Sequence, residues 1–322
     1  MKDQILLPEG GYYKANLHCH TTISDGEFTP EEIKAAYQKE GYSIVAYTDH
    51  DRYRWHKELD GLDFLALAAY ETEVTEFSTG PDCWPDLKTY HLNLFDTDPT
   101  QHQQEKAASP RPPQRYGDFY GLNEYIQQMR DLGFLVCYNH PYWSLQNYND
   151  YAGLRGLFAM EIYNHGCEHD GLYGFHPQAY DEMLRSGQKL FCLATDDNHD
   201  RQPLGHPLND SFGGFVQIAA QELTYPAVIQ ALREGQFYWS MGPQLRGVKI
   251  EDGCLKVKTS PVEKIFVIQK GRDCYQTAVN PGESLTEASF PLTGKEGWFR
   301  VQVRDGRGLY AGTNAYFIPD LL

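Results

Sequence analysis

No Cys-x-x-Cys pair occurs among the seven cysteines (19, 83, 137, 167, 192, 254 and 274) of this 322-residue sequence, and their number is odd. Disulfide frameworks and multi-thiolate zinc modules both rely on paired cysteines, so neither is expected to organise the chain. No apolar run reaches membrane-spanning length, and the opening MKDQILLPEGGYYKANLH lacks the apolar stretch of a secretion signal. No Gly-x-Ser-x-Gly is present, which removes the nucleophile elbow of serine hydrolases. Basic residues are scarce. Against 44 Asp+Glu there are 28 Lys+Arg, a formal charge of −16. Duplex nucleic acid is held by clustered Lys and Arg that release counterions, and anionic membranes need the same patches, so neither surface is an expected partner. The expectation is a soluble, cytoplasmic protein with reduced thiols. Its oligomeric state is not legible.

At 322 residues the chain exceeds one typical domain, and 41% hydrophobic against 22% charged residues supply material for a core. Over the first two hundred residues short apolar runs alternate with helical patterns, the order of an α/β fold. Strands are expected at 15–17, 43–47, 64–69, 91–95, 134–138, 158–162, 189–194 and 214–219. Helices are expected from Pro30, behind a Thr29 N-cap and before Gly41, then at 122–132, 177–186 and 225–234. Seven or eight strands separated by helices fit a closed barrel better than a small unit, with an open sheet as the alternative. Residues 96–121, polar and rich in Pro, read as a long loop, either a mobile lid or a surface insertion without function. Beyond about residue 245 the helical period vanishes, and apolar and polar residues alternate between Gly-containing turns. The expected division is 1–243 as the α/β unit and 244–322 as a small antiparallel, β-sandwich-like domain.

Ligand-type side chains collect where these strands end. His18 and His20 follow the first strand as His-Cys-His, and two-residue alternation puts both imidazoles on one side, with Cys19 facing the other way as a packing residue. Thr48-Asp49-His50 ends the second strand and Glu71 the third. His91 opens the fourth, Asn139-His140-Pro141 ends the fifth, and Asp197 and His199 follow the strand KLFCLA. Asp25 lies in the loop after the first pair. Each position alone has an ordinary explanation, such as a turn, a salt bridge or a strand end. Jointly they are nine carboxylates and imidazoles at loop-covered strand ends, which is costly unless cations lie among them. Nine donors exceed the shell of one ion, so two or three divalent metals are expected, with Glu71 suited to bridge. Mixed nitrogen and oxygen ligation suits Zn, Mn or Fe rather than Ca or Mg alone.

His-Cys-His at 18–20, Ser-Asp-Gly at 24–26, Thr-Asp-His at 48–50, Glu71, His91, His140 and Asp-Asn-His at 197–199 resemble the motif series of the PHP (polymerase and histidinol phosphatase) family. The resemblance covers roughly residues 10–240. It implies a distorted (β/α)7 barrel and a two- or three-metal centre that hydrolyses phosphoesters. By motif it assigns His18, His20, Glu71 and Asp197 to one metal. Glu71, His91 and His140 go to a second, and Asp25, His50 and His199 to a third. The seam Leu232–Tyr238, running into Gly242-Pro243 before a β domain, is similar to the carbaryl-hydrolase-like branch, some of whose members are said to cleave esters or carbamates.

The chemistry follows from the donors. Two cations sharing a water lower its pKa, present hydroxide, and neutralise charge developing on substrate oxygens, with Glu71 and Asp197 bridging or orienting that centre. The expected substrate is a small phosphorylated molecule. Around the centre, Arg201 is the candidate for gripping an anion, and His165 or His169 for contacting substrate or protonating a leaving group; His176 belongs to the same group. A salt bridge and surface histidines are the plainer alternatives. Asp49 would orient an imidazole or make an ordinary structural hydrogen bond, and Tyr142 and Trp143 would line the pocket or pack on its rim. Two rival functions remain. One is hydrolysis of a carboxylic ester, carbamate or amide at the same centre, although the amidohydrolases lack this Thr-Asp-His, Glu71 and Asp-x-His combination. The other is a metal-stabilised binding module without catalysis.

Overall fold

The computed structural model describes residues 2–77, 84–102 and 111–322. Two strands open the chain, β1 (Gln4–Leu7) and β2 (Tyr13–Asn16), followed by α1 (Pro30–Lys39) and β3 (Ile44–Tyr47). The long β4 (Leu65–Thr75) leads to β5 (Thr89–Asp96), α2 (Phe119–Asp131) and β6 (Phe134–Tyr138). After the short α3 (Tyr148–Tyr151) come β7 (Ala159–Asn164), α4 (His165–His169), α5 (Pro177–Arg185) and β8 (Phe191–Thr195). Then β9 (Phe215–Ile218), α6 (Tyr225–Arg233) and β10 (Phe237–Ser240) complete the helical part. No helix among the described residues is long and apolar enough to cross a membrane.

Local chemistry accounts for these elements. α1 begins at Thr29, whose side chain accepts from the Glu32 N–H while Glu32 reaches back to the Thr29 N–H, a capping box followed by Pro30 at the first helical position. β3 reads IVAY and is buried throughout, as a parallel strand covered on both faces should be. β2, β3 and β4 run parallel, as do β6, β7 and β8, whereas β5 is antiparallel to both of its neighbours. The ladder is open and richer in strands than a seven-stranded barrel. β9 gives one edge to β2 and the other to β10, so no edge is left for β8. Instead the Cys192 N–H on the far edge of β8 donates to Asn314 Oδ1 (3.0 Å).

Past residue 244 the chain is strand after strand, as its alternation predicts. It runs through β11 (Leu245–Glu251), β12 (Cys254–Val262), β13 (Lys264–Gln269), β14 (Tyr275–Ala278) and β15 (Leu285–Pro291). It ends with β16 (Trp298–Arg304), β17 (Tyr310–Thr313) and β18 (Tyr316–Phe317). β1 adds itself to β11, β12 and β15 as a second sheet, while β17, β16, β13 and β14 extend the main sheet from β10. Leu7, Val248, Ile250, Leu255, Val257 and Val262 from the second sheet share a core with Ile265, Val267, Val301 and Val303 from the first. The four-residue strands β1 and β10 went unread in the sequence. Of the 96–121 loop, residues 103–110 lie outside the described residues. Its described C-terminal part is tied down by Tyr116, which stacks on Tyr90 and donates to Asp150 Oδ1 (2.9 Å). Six described cysteines are free, and Cys83 lies outside the described residues.

Candidate metal centre

The fold brings the nine ligand-type residues together around Glu71, which lies inside β4 rather than at its end, and all of them but His18 and His20 line a cavity of about 600 Å³. Glu71 is 1% exposed, and its two oxygens lie among five imidazoles. Oε1 is 3.1 Å from His91 Nδ1, 3.4 Å from His18 Nε2 and 3.5 Å from His140 Nε2. Oε2 is 3.2 Å from His50 Nδ1 and 3.5 Å from His20 Nε2. Asp197 Oδ1 approaches both His20 Nε2 (3.0 Å) and His18 Nε2 (3.1 Å). Asp25 Oδ2 lies 3.3 Å from His199 Nε2. Donor atoms within 4.8 Å of one another form four overlapping groups able to hold an ion: His18, His20 and Asp197; His18, Glu71 and His140; His50, Glu71 and His91; and His20, Asp25, His50 and His199.

The backbone is bent to this purpose. His140 (φ 23°) and Asp197 (φ 54°) sit in the left-handed region that side-chain-bearing residues avoid. Gly26 is required where it stands, since a Cβ there would lie 2.5 Å from the His20 carbonyl oxygen.

Hydrogen bonding sets the tautomers. His18 Nδ1 donates to Glu161 Oε1 at 2.6 Å, which leaves a lone pair on Nε2. That lone pair faces His20 Nε2 at 3.1 Å, beside the oxygens of Asp197 and Glu71. Acceptors converging without a donor are repulsive unless a cation or a proton lies among them. In the metal-free chain protons take that role. Burial disfavours the charged form of His18, yet Asp197, Glu71 and Glu161 outweigh it and hold the group well above its usual value. For the same balance of burial against Glu71 and Glu73, His91 is raised to about 10. His199 is raised to about 9, burial being outweighed by Asp25 and Asp197. In the opposite sense, burial and the neighbouring His199 lower His20 to about 4. The field that holds those protons also suits divalent ions, and imidazole nitrogen with carboxylate oxygen is a donor set for Zn, Mn or Fe.

Several residues of this centre carry no motif. Glu161, fully buried in the middle of β7, accepts from His18, from Thr195 Oγ1 (2.7 Å), from Asn164 Nδ2 (2.9 Å) and from the His140 N–H (3.1 Å). Asn139 donates to Glu71 Oε1 (2.7 Å) and Asn164 to Asp197 Oδ2 (3.0 Å). The one available signal was a lone carboxylate inside the otherwise apolar run FAMEI. Asp49 orients no imidazole. Its carboxylate accepts from the N–H and hydroxyl of both Thr21 and Ser24, so it shapes the loop that carries Asp25. Arg201 reaches the cavity mouth and contacts Asp25 Oδ2 (3.2 Å). His169 and Trp143 line the cavity, whereas His165 stands behind His169, His176 is buried, and Tyr142 packs outside on Tyr173. Cys19 is buried among Ile33, Tyr37 and Val45. None of the described residues of the 96–121 loop lines the cavity.

No family model matches the chain. Over 93 residues it is 47% identical to the DNA polymerase/3'-5' exonuclease PolX of Bacillus subtilis (strain 168), a stretch covering 29% of this chain and 16% of that protein. Over 67 residues it is 36% identical to a 5'-3' exoribonuclease of Haemophilus influenzae, covering 21% and 22%. The chain thus spans less than a quarter of the length of either relative. Among solved structures it resembles a two-domain protein containing a predicted PHP-like metal-dependent phosphoesterase from Bacteroides vulgatus, with 14% identity and a TM-score of 0.44 over 98% of this chain and 99% of that one.

Proposed function

We propose that this chain is a metal-dependent hydrolase of PHP type that cleaves a small phosphoester. The observation that carries the reading is Glu71, a buried carboxylate with both oxygens within 3.5 Å of imidazole nitrogens from five histidines. Two or three divalent ions bound there would supply Lewis acidity and a water acidic enough to attack near neutral pH. In this reading His18, His20, Glu71 and Asp197 hold one ion. Glu71, His91 and His140 hold the second, and Asp25, His50 and His199 the third. Glu161 would keep His18 Nε2 free for an ion, and Asn139 and Asn164 hold the Glu71 and Asp197 carboxylates. Arg201 at the cavity mouth offers a planar donor to an anionic substrate. Both curated relatives are named for exonuclease activity, which is phosphodiester cleavage, and this favours the phosphoester over carboxylic ester, carbamate or amide. The strands β2 to β9 are read as a distorted, unclosed barrel within a 1–243 unit, with 244–322 as the β domain that β1 joins. Buried free thiols agree with a cytoplasmic setting.

Elemental analysis of the purified chain is expected to find two or three Zn, Mn or Fe per molecule, falling below two in Glu71→Gln. With Mn²⁺ or Zn²⁺ added, phosphomonoesters or phosphodiesters are expected to turn over. Fewer than two ions in the wild type, or turnover of carboxylic esters alone, would overturn the reading.

A further inference from the structure

Behind the cavity wall three polar side chains of one short segment are joined end to end. The Tyr163 hydroxyl lies 2.8 Å from His165 Nδ1, and His165 Nε2 lies 2.9 Å from His169 Nε2. His165 and His169 are four apart on α4, so they share a face of that turn. Only His169 of the three lines the cavity, and its Nδ1 has no hydrogen-bond partner among the described residues. Room for His165 comes from Gly213. A Cβ there would fall 2.2 Å from the imidazole, so any side chain at 213 would drive the ring off its two partners.

The direction of the chain follows from counting donors and acceptors. Burial, then His169, lowers His165 to about 3, so it is neutral and carries one N–H. If that hydrogen were on Nδ1, the Tyr163 hydroxyl would accept it, and the phenol hydrogen of a 7% exposed side chain would have no acceptor among the described residues. If instead Tyr163 donates to Nδ1, His165 donates from Nε2 to His169 Nε2. With Nε2 accepting from His165, the ring hydrogen of His169 is on Nδ1, the nitrogen left for the cavity. Only this second arrangement gives the Tyr163 hydrogen an acceptor, and it leaves the Nδ1–H of His169 as the open donor of the chain.

We propose that Tyr163 and His165 are positioning residues that fix His169 as an Nδ1–H donor to an oxygen of the bound ester. This rests on the hydrolase reading for the identity of the acceptor, while the tautomer itself does not depend on it. The full chain, labelled with ¹⁵N at histidine, reports each ring tautomer in long-range ¹H–¹⁵N spectra, with or without Zn²⁺. His169 is expected as the Nδ1–H form and His165 as the Nε2–H form, and Tyr163→Phe is expected to give His169 both forms. His169 protonated at Nε2 in the wild type, or an unchanged His169 in Tyr163→Phe, would sink the relay. With p-nitrophenyl phosphate as probe, His169→Leu is expected to lose about 10²-fold in kcat, as for one lost donor to a developing charge. His169→Asn, whose amide nitrogen falls near the Nδ1 position, is expected to recover most of it at unchanged metal content. Equal loss in both variants would overturn the donor role. A metal-loaded wild type that hydrolyses no ester counts against the hydrolase reading instead, and the tautomer spectra still judge the relay.

Discussion

Glu161 shows how much one carboxylate without a motif can determine. It is fully buried, and burial alone would raise its pKa; the His18 imidazole at 2.6 Å reverses that and holds it below the usual value. Its charge keeps the hydrogen of His18 on Nδ1, and its Oε2 accepts from the His140 N–H, so two candidate ligands depend on it. Glu161→Gln preserves the shape but removes the charge and turns one acceptor into a donor. The expected outcome is a 10- to 100-fold weaker affinity for the tightest metal, of the order seen when such outer partners are lost. Competition against a chelator of known affinity measures it, and an unchanged affinity would place Glu161 outside the metal centre.

At the scale of elements, α5 starts on a residue whose side chain does nothing for its helix. His176 makes no side-chain cap, is 6% exposed, and its Nε2 has no partner among the described residues. Burial, then the neighbouring His140, lowers it from 6.5 to about 3. Above pH 6.5 the side chain is neutral in folded and unfolded chains alike. Below 6.5 the unfolded chain takes up a proton that the folded one refuses until about pH 3, so stability falls with pH across that window. At pH 5 this loss is about 2 kcal/mol. Urea midpoints of the metal-free protein should therefore drop less between pH 7.5 and pH 5 in His176→Gln than in the wild type. Parallel curves for the two proteins would show that the start of α5 is not the sensitive point.

For the whole molecule, one ion pair links α5 to the β-rich part. Arg300 on β16 is 1% exposed, donates to both oxygens of Asp181 (2.8 and 3.1 Å), and packs over the Tyr180 ring. Removing the partner of a buried charge costs more than removing the pair, because the remaining ion keeps its desolvation penalty. Asp181→Ala is expected to lower the unfolding free energy by about 3 kcal/mol, and adding Arg300→Met to that variant should recover part of it. Denaturant unfolding of the single and double variants checks this, and a double variant weaker than the single one would overturn it.

The sequence by itself determined which residues could bind cations, because short patterns such as His-Cys-His and Asp-Asn-His are local, and strand ends are marked by where an apolar run stops. It also determined α1 with its cap, α5, α6 and β6, whose periods and end signals lie within a dozen residues. Tertiary structure decided the rest. Whether Glu161 touches His18 depends on the sheet bringing β7 near the segment that follows β2, across a separation of 143 residues, and no local pattern encodes that. The Nδ1 direction of His169 depends on Tyr163 and on a missing Cβ at Gly213. β1 joined a strand far along the chain, with Gln4 opposite Ile250 of β11, because four residues acquire a sheet only when a partner edge is offered. Side-chain chemistry can be read from composition and spacing, but tautomer, burial and pairing are properties of neighbours, and only the fold assigns neighbours.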